Sequence, residues 1–428
     1  TTAAILMLFI TYKLHQEFFN KKYAIISPLI LSTTYLWFDY SHLATQDIIY
    51  SCLVTIGVFS LIKIKTKENK LFILIFGIWI GLSFMMKTFL VFVPLLSLLP
   101  YIYLKKNLLF NKFFCFGLLI GLIPYLFWSF SINQYLDKNI IFYLVEKFNI
   151  LSNKNAFTNP FYYYFWNVPL TFLPWSVFAI IGTVLNIFES KENKYILAIF
   201  PLILITIQSI FSTKTPYYNL QISSIMTLNT YVGIKYLFNS KRYKTVFIFT
   251  VSKIIPFLIF IISFTYYFFF KNTINFNFKE NTLLILGLLF FGLSWSLIKN
   301  KQSFKKTLIT LIVGPYLLSS FLLQSGLFTD RARALRETME DTSFINLVKD
   351  QPINIDKKGI NNAVSQSKII RISLLTPKLG NGIANIDQLK KSELAWTTET
   401  MEIKNNNNSY EVIYENDILK PWKLILKK

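Results

Sequence analysis

Charge is thin along this chain, and acid thinner still. Charged residues are 15% of 428, against 53% hydrophobic and 18% aromatic; a soluble protein carries about 25% charged. Mean hydropathy is +0.45, and apolar runs of about 20 residues recur from end to end, which excludes a soluble globular enzyme and a disordered chain. Cysteine is nearly absent. Cys52 and Cys115 both sit in apolar runs and offer neither a metal spacing nor a disulfide framework. The alternating segments of about ten residues that mark a transmembrane β-barrel are missing too. What remains is an all-α polytopic membrane protein over residues 1–329, followed by a small polar α+β extracytoplasmic domain, 330–428.

The formal charge of +22 looks at first like a nucleic-acid footprint, but its placement argues otherwise. Nine acids stand against 28 basic residues before Thr329, and the bases fall in short loops between apolar runs. Such bases report topology, so no nucleic-acid partner is expected. Candidate spans are 1–12, 23–38, 46–62, 71–86, 88–104, 113–132, 165–187, 195–212, 217–238, 245–270, 281–298 and 307–326. Alternate loops hold 20 and seven bases; the first set is cytoplasmic by the positive-inside rule, and the tail after Leu327 is outside. The pair 71–86 and 88–104 is one apolar stretch broken at Lys87-Thr88, too long for a single span. It predicts a tight helical hairpin with Lys87 at its tip. In the tail, Lys368–Leu375, Tyr410–Tyr414 and Trp422–Leu426 read as strands, Arg331–Val348 as a helix and Asn405–Asn408 as a loop. The chain opens inside an apolar run at Thr1-Thr2-Ala3, which reads as a fragment lacking its true N-terminus.

Ionisable groups at membrane depth are costly and so are candidates for function. Asp39 and Asp47 flank an external loop without Lys or Arg. Asp47 stands at the mouth of the next span, where it either complements the helix dipole or acts on a ligand. Lys87 lies between Met85-Met86 and Phe89-Leu90; it either finds an anion or stretches to headgroups. In the external loop 133–164, Leu136, Ile140, Ile141, Leu144, Val145 and Phe148 recur at helical spacing opposite Asp137, Lys138, Glu146 and Lys147. That pattern is an interfacial amphipathic helix, anchoring or functional. An aromatic belt follows at Tyr162–Trp166, and Lys214 and Pro216 mark a short external turn.

Taken in order, these segments are more specific than singly. His42-Leu43-Ala44-Thr45-Gln46-Asp47 resembles the "R-x-A-x-x-D" stretch of polyprenyl-phosphate-sugar-dependent glycosyltransferases. Gly81–Thr88 resembles their "G-L-A-x-L-T-K-G" hairpin, and Leu144-Val145-Glu146-Lys147 their "F-x-x-E-H" element. Tyr162-Tyr163-Tyr164 through Leu173-Pro174-Trp175 is similar to "Y-Y-x…L-P-W", and Phe211–Tyr218 to "F-S-x-x-K-x-P-x-Y". The family is the aminoarabinose transferase and protein-mannosyltransferase-like group, with the GT-C membrane fold. Lys147 stands in place of the family histidine and Thr88 in place of glycine, and the family's first acidic loop has no counterpart.

The resemblance implies transfer of a sugar from a polyprenyl-phosphate donor to a lipid, glycan or protein acceptor on the outer face of a bacterial plasma membrane, among membrane lipids. Lys87 and Lys214 would hold the phosphate, with Tyr218 as a hydroxyl donor. Asp47 and Glu146 would be the catalytic carboxylates, orienting groups or binding a divalent metal, although Lys147 removes one ligand that some members use. Two other readings compete: a polytopic transporter or lipid flippase, and a non-catalytic remnant of the transferase.

Overall fold

The computed structural model describes residues 2–19, 21–43, 45–64, 69–105, 108–133, 158–189, 191–270, 277–327, 332–348, 351–360, 363–398 and 409–428. It divides into two units, Thr1–Gly326 and Leu327–Lys428. The amphipathic pattern around Glu146 and the asparagine run lie outside the described residues.

The first unit is helical. Six of its helical runs are long and apolar enough to cross a membrane: Gln46–Lys63, Lys70–Leu104, Lys112–Asn133, Lys244–Phe269, Phe278–Ser296 and Phe304–Ser325. The other expected spans are shorter or broken. The 23–38 run splits into Ile26–Ser32 and Tyr35–Ser41, because the Thr33 and Thr34 hydroxyls donate to the carbonyls of Ile30 and Leu31 at 2.9 and 2.7 Å and end the first helix. The 165–187 run bends by 117° between Tyr163–Thr171 and Ser176–Ile187, where Leu173-Pro174 interrupts it.

The run Lys70–Leu104 cannot be straight. At 1.5 Å per residue it would be about 52 Å long, and the connection 105–111 reaches about 28 Å at full extension. Yet Lys70 Nζ lies over the Phe113 ring at 5.6 Å, so the starts of Lys70–Lys87 and Lys112–Asn133 are adjacent. The chain therefore reverses at Thr88, with Lys87 at the tip. The reversal is splayed rather than tight: Lys70–Lys87 packs along Lys112–Asn133, while Phe92–Leu104 packs against Phe200–Ile210.

Glycine sets the first of these contacts. Gly77 and Gly81 face Gly117 and Gly121, and a methyl at Gly117 would sit 2.2 Å from the Leu74 carbonyl oxygen, one at Gly121 2.5 Å from that of Ile78. The two parallel helices thus meet backbone to backbone, the small-residue packing that drives association in lipid. A second close crossing joins Ser176–Ile187 to Ser223–Asn239, where Asn229 bridges three segments. Its amide donates to Thr183 Oγ1 at 2.8 Å and the Leu197 carbonyl at 2.7 Å, and its Oδ1 accepts from Asn186 at 2.9 Å.

The second unit carries a five-stranded sheet, β1 Ile353–Asp356, β2 Leu379–Ile383, β3 Leu394–Thr397, β4 Tyr410–Tyr414 and β5 Lys423–Lys427, in the order β2-β1-β3-β5-β4. β1 is parallel to β2 and β3; β5 runs antiparallel to β3 and β4. Tyr410–Tyr414 and Trp422–Leu426 thus fall on strands. Lys368–Leu375 does not: it belongs to the helix Ala363–Leu375. Ser365, Ile369, Ile372 and Thr376 are buried at helical spacing, so the period of burial overrides the β-branched composition. The expected helix Arg331–Val348 is two, Arg333–Met339 and Thr342–Val348, parted where Asp341 accepts from the Ser343 hydroxyl and amide.

Candidate active site

Asp47 is the acidic residue in the first turn of Gln46–Lys63, whose preceding residue Thr45 makes no side-chain cap. Its carboxylate therefore faces the positive end of that helix dipole. Lys87 occupies the last turn of Lys70–Lys87, where a cation is favoured for the converse reason. The two meet: Lys87 Nζ donates to Asp47 Oδ1 at 2.7 Å, with side chains only 9% and 11% exposed. The anion beside Lys87 is thus Asp47. Three residues on from each partner, the Tyr50 hydroxyl donates to the Leu90 carbonyl at 2.9 Å, so the reversal is tied twice to the same helix.

Thr88 makes the reversal at φ 49° and ψ −122°. That is a left-handed backbone suited to glycine and strained for a β-branched residue. Thr88 stands where glycine was expected from the resemblance, and it keeps the conformation a glycine would adopt.

The second wall comes from two loops pinned together. Thr158 and Thr213 form an antiparallel bridge, and the Asn159 amide donates to the Ser212 carbonyl at 3.3 Å. Asn159 Nδ2 donates to the Lys214 carbonyl at 3.0 Å, and Lys214 Nζ returns a bond to the Asn159 carbonyl at 2.9 Å and another to that of Phe211. The Tyr164 hydroxyl donates to the Thr215 carbonyl and accepts from the Thr215 amide, at 3.1 and 3.2 Å. The Tyr162–Tyr164 and Phe211–Tyr218 motifs, about 50 residues apart in sequence, are one structural piece.

Between these walls lies a cavity of about 20 Å³, room for one water-sized group. Asp47, Tyr50, Ser51 and Lys87 line it from the first wall, and Thr213, Tyr217 and Tyr218 from the second. Lys87 Nζ stands 5.4 Å from the centre of the Tyr217 ring, within cation–π range. Of the residues singled out from sequence, Asp47, Lys87 and Tyr218 are brought together. Lys214 is not in the lining; its ammonium is committed to carbonyls of the wall, and its neighbour Thr213 faces the cavity. Glu146 lies outside the described residues.

Gln208 and Gln221, which carry no motif, line the same cavity. The signal available in sequence was their polarity alone: an amide buried in an apolar helical run needs a partner. Among the described residues no group of three His, Cys, Asp or Glu side chains could hold a metal ion. Chemically, the cavity offers one buried cation, its carboxylate partner and several hydroxyls, a set that can receive an oxyanion and orient a proton.

Residues 2–129 match the family of dolichyl-phosphate-mannose-protein mannosyltransferases. Comparison with curated protein sequences gives no match. Two crystal structures of ArnT from Cupriavidus metallidurans, one bound to undecaprenyl phosphate and one apo, are similar in fold, each with a TM-score of 0.74 at 12% identity over 99% of this chain and 82% of that one. The chain thus shares the membrane fold of ArnT, and its residues 2–129 are similar to the mannosyltransferase family.

Proposed function

We propose that the protein is a membrane glycosyltransferase that moves a sugar from a polyprenyl-phosphate donor to a lipid, glycan or protein acceptor on the outer face of the plasma membrane. The observation that carries this reading is the buried Lys87–Asp47 pair opening on a cavity walled by Tyr218 and the 211–218 loop. Its support is the fold shared with a protein crystallised with undecaprenyl phosphate and the mannosyltransferase-family match.

In this reading Lys87 receives the donor phosphate. As the glycosyl bond breaks, negative charge grows on the departing phosphate, and a fixed, desolvated cation stabilises it more than water would. The hydroxyls of Tyr218 and Thr213 add donors. Asp47 keeps the lysine charged and in place before the lipid arrives; released from it, the carboxylate is free to orient the acceptor or take its proton. Glu146 is the second carboxylate of this proposal, and Lys214 serves by holding the wall. The 20-to-seven distribution of loop bases supports an external site. Ion pairs agree with that assignment, since Lys63–Glu17 and Lys105–Glu192 each join loops assigned to the cytoplasmic side.

The test is transfer of labelled sugar from undecaprenyl-phosphate donors in membranes containing the full chain, beside Lys87→Met and Asp47→Asn. Transfer by the wild type that falls at least about 100-fold in Lys87→Met supports the reading. Activity indifferent to Lys87 sinks it.

A further inference from the structure

The cavity beside Lys87 is lined by two glutamines whose side-chain oxygens have no partner among the described residues. Gln208 and Gln221 are 4% and 6% exposed. Both line the cavity, and the Oε1 of each is buried without a hydrogen-bond partner among the described residues. For Gln208 the orientation is fixed from the other end: its Nε2 donates to the Tyr218 carbonyl at 3.1 Å, which leaves the oxygen as the unmet atom.

Two carbonyl oxygens in one small space call for a donor. An unprotonated phosphate oxygen cannot serve, being an acceptor itself. A hydroxyl or amino group can, and a cavity of about 20 Å³ has room for one such group. Lys87, paired with Asp47, lines the same cavity, so a ligand that takes Asp47's place on it and also meets the glutamines carries an anion and, within reach of it, a hydroxyl or amine. A glycosyl phosphate has that chemistry.

We propose that Gln208 and Gln221 are specificity-determining residues that accept hydrogen bonds from one hydroxyl or amino substituent of the donor sugar, while its ring stays at the cavity mouth. The inference rests on the donor reading given above and deepens it: the glutamines recognise the sugar, Lys87 the phosphate. A site built around buried acceptors rejects an analogue lacking the donor group, because the acceptors are then left unmet.

The experiment measures lipid binding by the full chain in nanodiscs for wild type, Gln208→Met and Gln221→Met. The probes are undecaprenyl phosphate and the same lipid carrying glucose, mannose or 4-aminoarabinose. Expected is wild-type preference of about tenfold or more for at least one glycosylated lipid, lost in each variant while affinity for the bare lipid stays within about twofold. Gln221→Met leaves the Gln208–Tyr218 bond intact and decides the matter if Gln208→Met does not fold. Equal weakening of both lipids means that the glutamines only hold the wall, and overturns the proposal. So does unchanged binding in both variants, which leaves the space to a trapped water. A wild type that binds the bare lipid but prefers no glycosylated form defeats the glutamine proposal alone. Failure to bind any of the lipids defeats the donor reading as well.

Discussion

Lys87 and Asp47, 40 positions apart in sequence, end two different helices and meet at 2.7 Å out of reach of bulk solvent. Each neutralises a charge that the other's burial would make costly, so neither can be altered in isolation. Removing the ammonium in Lys87→Met strands the carboxylate and should destabilise the protein by about 3–5 kcal/mol, read as a lower thermal midpoint in detergent. The double variant Lys87→Met/Asp47→Leu should recover most of that stability and none of the transfer activity. Recovery of activity in the double variant would show that the pair serves the fold alone.

The reversal at Thr88 gives a second expectation. Its φ of 49° costs a β-branched residue about 1–3 kcal/mol, while glycine adds unfolded-state freedom worth about 0.4–1 kcal/mol. Thr88→Gly should therefore raise stability by about 1 kcal/mol on balance. A clear fall in the thermal midpoint would mean that the hydroxyl or methyl of Thr88 makes contacts that outweigh the strain.

Helix crossings supply a graded pair. A methyl at Gly182 would lie 1.9 Å from the Asn229 carbonyl oxygen, whereas one at Gly292 would meet its nearest neighbour at 3.5 Å. Gly182→Ala should lower the yield of folded protein or shift its midpoint by several degrees, and Gly292→Ala should leave both nearly unchanged. The comparison is made by size-exclusion profile and thermal unfolding; equal behaviour of the two variants would contradict the backbone-to-backbone packing.

Topology is checked by labelling in a background where Cys52 and Cys115 are replaced by serine. Cysteines at Asn155 and Asn406 should react with an impermeant thiol reagent applied outside, and one at Asn69 should not. The opposite pattern would turn the site towards the cytoplasm.

Much of this was legible in the chain. A lysine between methionines and aromatics, inside an apolar stretch too long for one span, marks both a reversal and a buried cation, and the structure has both at Lys87 and Thr88. The pairing of Tyr164 with Thr215 was legible only as two motifs in order, since nothing local to either one encodes a bond across about 50 residues. The break at Thr33-Thr34 was hidden by the apolar average, which is blind to hydroxyls that bond back to their own helix. Gln208 was hidden by that same average. Its meaning depends on which of its two amide atoms faces the cavity, and the Tyr218 carbonyl, on another segment, decides that.

The glycine seam bears on how the site moves. Where Gly77 and Gly81 touch Gly117 and Gly121, no side chains stand between the rods to act as a cushion, so the two helices form a two-ply beam. Lys87 is fixed at the end of that beam. A displacement of Lys70–Lys87 at this seam meets the backbone of Lys112–Asn133 directly. Beyond Thr88, Phe92–Leu104 shares no such seam with Phe200–Ile210. The seam thus ties the position of the Lys87 ammonium to two helices at once.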